Sequence, residues 1–292
     1  MKPPVFEYER PPTVRGALEA LSKHGGKAKL LAGGHSLIPQ LNLRAVSPGR
    51  LIDIGRLTEL QYIVEDYGQL RIGALTTHNT IFRSPAVASG CPIMIEAYQH
   101  VANHSIRNRG TLGGNLCQND PAFEMPLVMA LVGGTMLARS ARTQRTIAAD
   151  RFFKAPFATD LAADELLVEI RIARLPPGHG YAFMEISQRF GDRALIAGGC
   201  VLTVRYGNCR DVRLGFRNGV HNLFRIPAAE AALEGKPASA AAIDAAAEAV
   251  AKTLPPAADL HADEAYRRDV AATLTRRMLR AACARAGANV PE

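Results

Sequence analysis

The first readable pattern of apolar and polar positions begins at Thr13. Val14, Ala17, Leu18 and Leu21 recur at helical spacing, which predicts an amphipathic helix with Thr13 as its N-cap. Gly25 and Gly26 follow and end that helix, because the residue after a helix often turns left-handed. The apolar run 28–32 then reads as a short strand, Gly33-Gly34 as a turn, and Leu37 with Leu41 as the start of a second helix. Residues 50–54, with Asp53, form another strand-like stretch. Together these make a small α/β lobe over 1–55.

A second lobe is expected over 56–175. Residues 70–74 alternate like a half-buried strand, 81–101 carry helical pattern interrupted at Pro85 and Pro92, and 165–172 read as a strand. Pro176-Pro177-Gly178 is the strongest boundary signal, and a C-terminal domain is placed at 178–285. Within it, 196–206 and 211–216 read as strands joined by a turn at Gly207-Asn208. Residues 238–254 are Ala-rich and favour helix. A last helix begins at Asp263 and sets Tyr266, Val270, Leu274 and Met278 on one face. The fold class expected is α+β, without internal repeats.

Composition narrows the function classes. No apolar run in the 292 residues is as long as a membrane span, and the first residues lack the apolar core of a secretory signal; a soluble, cytoplasmic protein is expected. The net charge of +8 invites a nucleic-acid reading, but Lys and Arg are spread along the chain and Trp is absent, unlike a basic face interleaved with aromatics. The densest patch, Arg267, Arg268, Arg276, Arg277 and Arg280, reads as a solvated or partner-facing helix side. An acidic cofactor or acidic partner subunit is the better use of this charge than nucleic acid. Cys91, Cys117, Cys200, Cys209 and Cys283 form no CxxC pair, so they read as free thiols. If the protein serves an electron chain, the metals of that chain are expected on another polypeptide.

Two motifs carry the candidate chemistry. In the first, Ala32, Gly33, Gly34, His35, Ser36 and Leu37 lie between a strand and a helix start. Glycines without a Cβ let main-chain N–H groups approach an anion, and Ser36 adds a hydroxyl. An isolated Gly-Gly is more often an ordinary turn, and this is not the GxGxxG of a Rossmann fold. In the second, Thr111 precedes Gly113, Gly114 and Asn115, and Asp120 follows with a carboxylate suited to ribose hydroxyls. Two glycine-pair turns suit a ligand with a central diphosphate and polar groups at both ends.

AGGHSLIPQLNLR, IGALTTHNTI and IRNRGTLGGNLCQNDP, in this order, resemble the FAD-binding medium subunit of carbon monoxide dehydrogenase and other molybdenum hydroxylases of the xanthine dehydrogenase type. The likeness continues through DELLVEIRI and RFGDRALIAGG into YRRDVAATLTRRML, so it covers nearly the whole chain. It implies a two-lobed FAD-binding domain of the vanillyl-alcohol-oxidase (PCMH) type, then a domain with a three-stranded antiparallel sheet and a helical bundle. It implies non-covalent FAD with its diphosphate wrapped by both turns, Asp120 near the adenosine ribose, and Ile72, Thr76, Thr77 and Leu166 close to the flavin. It implies no catalytic residue on this chain. The partners implied are a large subunit with a molybdenum–pterin cofactor and a small subunit with [2Fe–2S] clusters, arranged as a dimer of heterotrimers.

One departure stands out. Where many relatives carry an aromatic residue after Gly191-Asp192, this chain has Arg193. Two rivals remain beside the resemblance. One is a stand-alone flavin oxidase of the same superfold, with the flavin attached covalently at His35. The other is a scaffold subunit that has lost its flavin, against which the intact turn glycines argue.

Overall fold

The computed structural model describes residues 2–221 and 224–290, so the first residue of the 1–55 lobe lies outside them. In the first lobe, β1 (Glu7–Glu9), α1 (Val14–His24), β2 (Ala28–Leu31), α2 (Leu37–Asn42) and β3 (Arg50–Asp53) follow in order. The three strands form a parallel sheet in the order β1-β3-β2, because the connections through α1 and α2 bring the chain back to the same end of the sheet before each next strand. The Thr13 hydroxyl accepts the N–H of Gly16, and Gly25 ends α1 at φ 49°, as the spacing predicts. Val14, Ala17, Leu18 and Leu21 are buried against Ile52, Ile54, Leu57 and Leu60.

The middle lobe is a five-stranded antiparallel sheet covered by short helices. Its strands are β4 (Ile63–Asp66), β5 (Gln69–Gly73), β6 (Thr135–Arg139), β7 (Gln144–Ala148) and, after a small β8–β9 hairpin (Phe153–Ala155, Ala158–Thr159), β10 (Leu166–Ala173). The order β4-β5-β10-β6-β7 puts β10 in the centre, which explains its near-continuous apolar run. The helices are α3 (His78–Phe82), α4 (Pro85–Gly90), α5 (Pro92–His100), α6 (His104–Arg107), α7 (Leu112–Gln118), α8 (Met125–Val132) and α9 (Ala149–Phe152). Pro85 and Pro92 open α4 and α5, where a missing N–H costs nothing. Every residue of α8 is buried, since it is packed between the middle lobe and the next sheet.

That next sheet has three long antiparallel strands, β11 (His179–Ser187), β12 (Ala194–Arg205) and β13 (Asn208–Arg217), plus a two-residue edge strand β14 (Phe224–Arg225). The β12–β13 turn falls on Tyr206-Gly207, both at positive φ, one residue earlier than the sequence suggests. One face of the sheet packs on α10 (Pro227–Leu233), α11 (Ala240–Thr253) and α12 (Glu264–Arg285). The other meets the middle core through Phe183, Ala197 and Val201.

The basic patch on α12 needs correction. Arg267 is 1% exposed, with its guanidinium bonded to the carbonyls of Leu195 and Asn218 and 2.7 Å from Asp259. Arg268 and Arg276 pair with Glu264 and Asp244. Leu274 and Met278 are buried as the spacing predicts, but in the first turns Arg267 and Ala271 are buried in place of Tyr266, which is 45% exposed, and Val270, which is only partly buried. Hydrophobic spacing could not find the start of this face, because its first member is an arginine buried with its hydrogen bonds. All five cysteines are free thiols, four of them buried.

Candidate functional site

The end of β2 delivers Gly33 and Gly34 beside the second motif. A Cβ on Gly33 would lie 2.2 Å from the Arg109 carbonyl oxygen and 3.0 Å from Gly110 Cα, so glycine is needed there for the two turns to touch. Gly34 sits at φ 81°, in the left-handed region that favours glycine. Among the described residues, nothing accepts a hydrogen bond from the N–H groups of Gly33, Gly34, His35 or Ser36. Four adjacent main-chain donors with no protein acceptor form an anion-binding concavity.

The second turn is built differently. The Thr111 hydroxyl accepts the Gly114 N–H at 3.1 Å, and the Gly113 N–H donates to the Ala74 carbonyl at 2.8 Å. A Cβ on Gly113 would meet Ala74 at 2.6 Å. This glycine pair therefore serves close packing and helix capping more than anion binding. The open group here is the side chain of Asn115, 7% exposed, whose Oδ1 has no partner. An orphaned buried acceptor usually marks a missing ligand or water.

A cavity of about 650 Å³ runs between the lobes. Ala32, Gly33, Gly34, His35, Ser36, Leu37, Thr111, Gly113, Gly114, Asn115 and Leu166 all line it. Thr77 instead lines an adjoining cavity of about 930 Å³, which shares Gly33, Gly34, His35 and Thr111 as its wall. Three expected residues line neither. Ile72 is fully buried in β5. The Thr76 hydroxyl is committed to the main chain of Tyr62, at 3.1 Å to the N–H and 2.9 Å to the carbonyl. Asp120 is turned away, accepting from the Ala122 N–H at 3.0 Å and from Arg193.

Among the acids that line the cavity, Glu124 stands four residues beyond Asp120, at the N-cap of α8. Spacing from the glycine pair could not rank the two acids. Burial raises the Glu124 carboxyl above its ordinary range, with Asp120 adding to the rise and Arg217 opposing it. Behind it, Glu185 on β11 is 9% exposed and neither carboxyl oxygen has a partner. Burial and the charge of Glu124 push Glu185 up as well, so the pair favours carrying protons. Arg217, fully buried, reaches from β13 to the carbonyls of Asp120 at 2.6 Å and Pro121 at 3.1 Å. Desolvation lowers its guanidinium to about 10, which leaves it charged at neutral pH.

Acid/base catalysis has little footing here. His78 lines the cavity, but burial lowers it to about 3, so it stays neutral and packs with Tyr98. His35 is exposed and forms no ion pair among the described residues. No group of three or more metal-ligating side chains occurs among the described residues.

FAD fits this arrangement: the free N–H groups of the first turn match a diphosphate, and Asn115 and Glu124 line the same cavity with polar groups that could meet it. Comparison with known proteins agrees. Residues 4–175 match the family described as "FAD binding domain in molybdopterin dehydrogenase", and residues 181–282 match "CO dehydrogenase flavoprotein C-terminal domain". The chain is 39% identical to the nicotine 6-hydroxylase medium subunit of Paenarthrobacter nicotinovorans, over 98% of this chain and 100% of that protein. It is 36% identical to the carbon monoxide dehydrogenase medium chain of Hydrogenophaga pseudoflava, over 98% and 99%. A solved structure of the carbon monoxide dehydrogenase from H. pseudoflava superposes with a TM-score of 0.94 at 38% identity, covering 98% of this chain and 99% of that one. Quinoline 2-oxidoreductase from Pseudomonas putida 86 gives 0.92 at 34%, with the same coverage.

Proposed function

We propose, from the premise that this chain belongs to the FAD-binding medium subunits of the molybdenum hydroxylases, that it serves as the electron relay of such a complex. The observation that carries this reading is the cavity wall. It offers four unengaged main-chain donors and an orphaned amide acceptor, and among the described residues no cluster of metal ligands to act on an organic substrate. Bound FAD supplies the redox chemistry, exchanging electrons between the [2Fe–2S] clusters of a small subunit and an external acceptor. The chain's own residues would bind and enclose it: the turn at Gly33-Gly34 would hold the diphosphate, and Asn115 and Glu124 would offer further polar contacts. Gly113, Gly114 and Thr111 keep the second turn in place, and Thr77 stands in the adjoining cavity. Ile72 and Thr76 act at one remove, by shaping the strand and turn beneath.

A large molybdenum–pterin subunit would oxidise the substrate in this scheme. A dimer of heterotrimers in the cytoplasm is the assembly that goes with it, and no described helix is long and apolar enough to cross a membrane. Division of the chain at 176–178, between the FAD-binding lobes and the C-terminal domain, is part of the same reading.

In the purified chain, dithionite should bleach the flavin and air should restore it. Aldehydes, purines and other N-heterocycles should leave it oxidised until both partner subunits are added. Steady turnover by the single chain would return the stand-alone oxidase. Attachment is tested separately: acid denaturation and filtration should release all the yellow colour as free FAD, because the exposed His35 imidazole forms no ion pair among the described residues to activate it. Colour that stays with the precipitate would identify a covalent flavin.

A further inference from the structure

The hairpin tip between β11 and β12, residues 188–193, reaches from the C-terminal sheet to the cavity wall, where Gly191, Asp192 and Arg193 stand. Its base is well held. The Ser187 hydroxyl donates to the Arg189 carbonyl at 2.8 Å, and the Phe190 ring lies 6.0 Å from that of His100 on α5. Gly191 takes φ 81°, and a Cβ there would lie 3.0 Å from the Ala102 carbonyl oxygen, so the tip rests against the middle lobe. At its far end the Arg193 guanidinium donates to the Asp120 carboxylate.

The two halves of this ion pair differ in mobility. Asp120 is 5% exposed; its own carboxylate accepts the Ala122 N–H and its carbonyl is gripped by Arg217. Arg193 has 67% of its side chain exposed and no other hydrogen-bond partner among the described residues. One half is therefore fixed in the floor beside the cavity, and the other swings on a long side chain from the hairpin tip.

We propose that Arg193 is a positioning residue for FAD: its pair with Asp120 latches the β11–β12 hairpin at the edge of the cavity, and FAD leaves when the latch opens. This rests on the FAD reading above and adds what retains the cofactor. A pair with one partner this exposed is weak and is screened by salt. Opening it costs little packing, because Phe190 in the tip is 79% exposed and Gly191 meets the middle lobe at Ala102. FAD release is thereby tied to ionic strength, which an uncharged cover over the same cavity would not do.

The test measures FAD release from the loaded chain by the recovery of flavin fluorescence, in low and in high NaCl. Wild type should release FAD about twofold to fivefold faster in high salt, the range expected for losing a part-exposed ion pair. Arg193→Met should release it at that faster rate already in low salt, with most of the salt dependence gone. Asp120→Asn should do the same, and Arg193→Lys should recover part of the slow release. Arg193→Met alters an exposed side chain, so its fold should survive, as checked by circular dichroism. Loaded variants that release FAD at the wild-type rate with the wild-type salt slope would overturn the latch alone. A wild-type chain that binds no FAD would overturn both the latch and the reading beneath it.

Discussion

Replacing Gly33 by alanine is expected to weaken FAD binding by about a hundredfold or more, close to 3 kcal/mol. The added Cβ would sit 2.2 Å from the Arg109 carbonyl oxygen and 2.9 Å from its carbonyl carbon. These are backbone atoms of the second motif, so no side chain can rotate away; the two turns must separate instead. Overpacking of this kind costs about 1–3 kcal/mol in stability by itself. The loss of affinity adds to this, because the free donors of the first turn and Asn115 of the second would no longer face one ligand. Gly49→Ala is the control: its Cβ would make an ordinary 3.6 Å contact with the Lys27 carbonyl. Titration of each apo-protein with FAD, followed by flavin fluorescence, measures the difference. Equal affinity in Gly33→Ala would show that the first turn is not the diphosphate cradle.

Glu185→Gln is expected to stabilise the chain in alkaline buffer and to leave it nearly unchanged in acid. In the folded chain burial, then Glu124, raise the Glu185 carboxyl from 4.5 to about 9. Its neutral form is therefore favoured by folding. That stabilisation is complete below the unfolded value near 4.5 and is lost progressively as pH rises through the folded value. Glutamine keeps the shape of the neutral acid and never ionises. At pH 9 the variant should lead by on the order of a few kcal/mol, or roughly 5 °C or more in Tm. Thermal melts of both proteins across the window between those two values are the check. A wild-type Tm that does not fall relative to the variant as pH rises would mean that Glu185 gains a partner on ionising.

Local chemistry was readable along the chain where it depends on neighbours in sequence. Thr13 caps α1 and Gly25 ends it because a hydroxyl and a missing Cβ act within one turn. Pro85 and Pro92 open helices for the same short-range reason. The family resemblance lay in contiguous motifs, and the matches over 4–175 and 181–282 agree with it. Strands β6, β7 and β11 were not readable. Thr135–Arg139 and Gln144–Ala148 are short, and the second is largely exposed, so little alternation marks them. His179–Ser187 mixes glycine, aromatic and acidic residues, which only pairing with β12 makes into a strand.

The sequence by itself determined that two glycine turns exist, each with the hydroxyl or amide that caps or opens it. Such turns are written in dihedral preferences and in donors a few residues away. Only the tertiary structure decided what each glycine is for. Gly33 is required by a carbonyl from residue 109, and Gly113 gives its N–H to residue 74. The same holds for the acids and arginines. Glu124 faces the cavity while Asp120 turns to Arg193 and Arg217, and Arg267 lies inside α12's packing. A charged side chain is placed by the partners that compensate its desolvation, and here those partners come from distant strands.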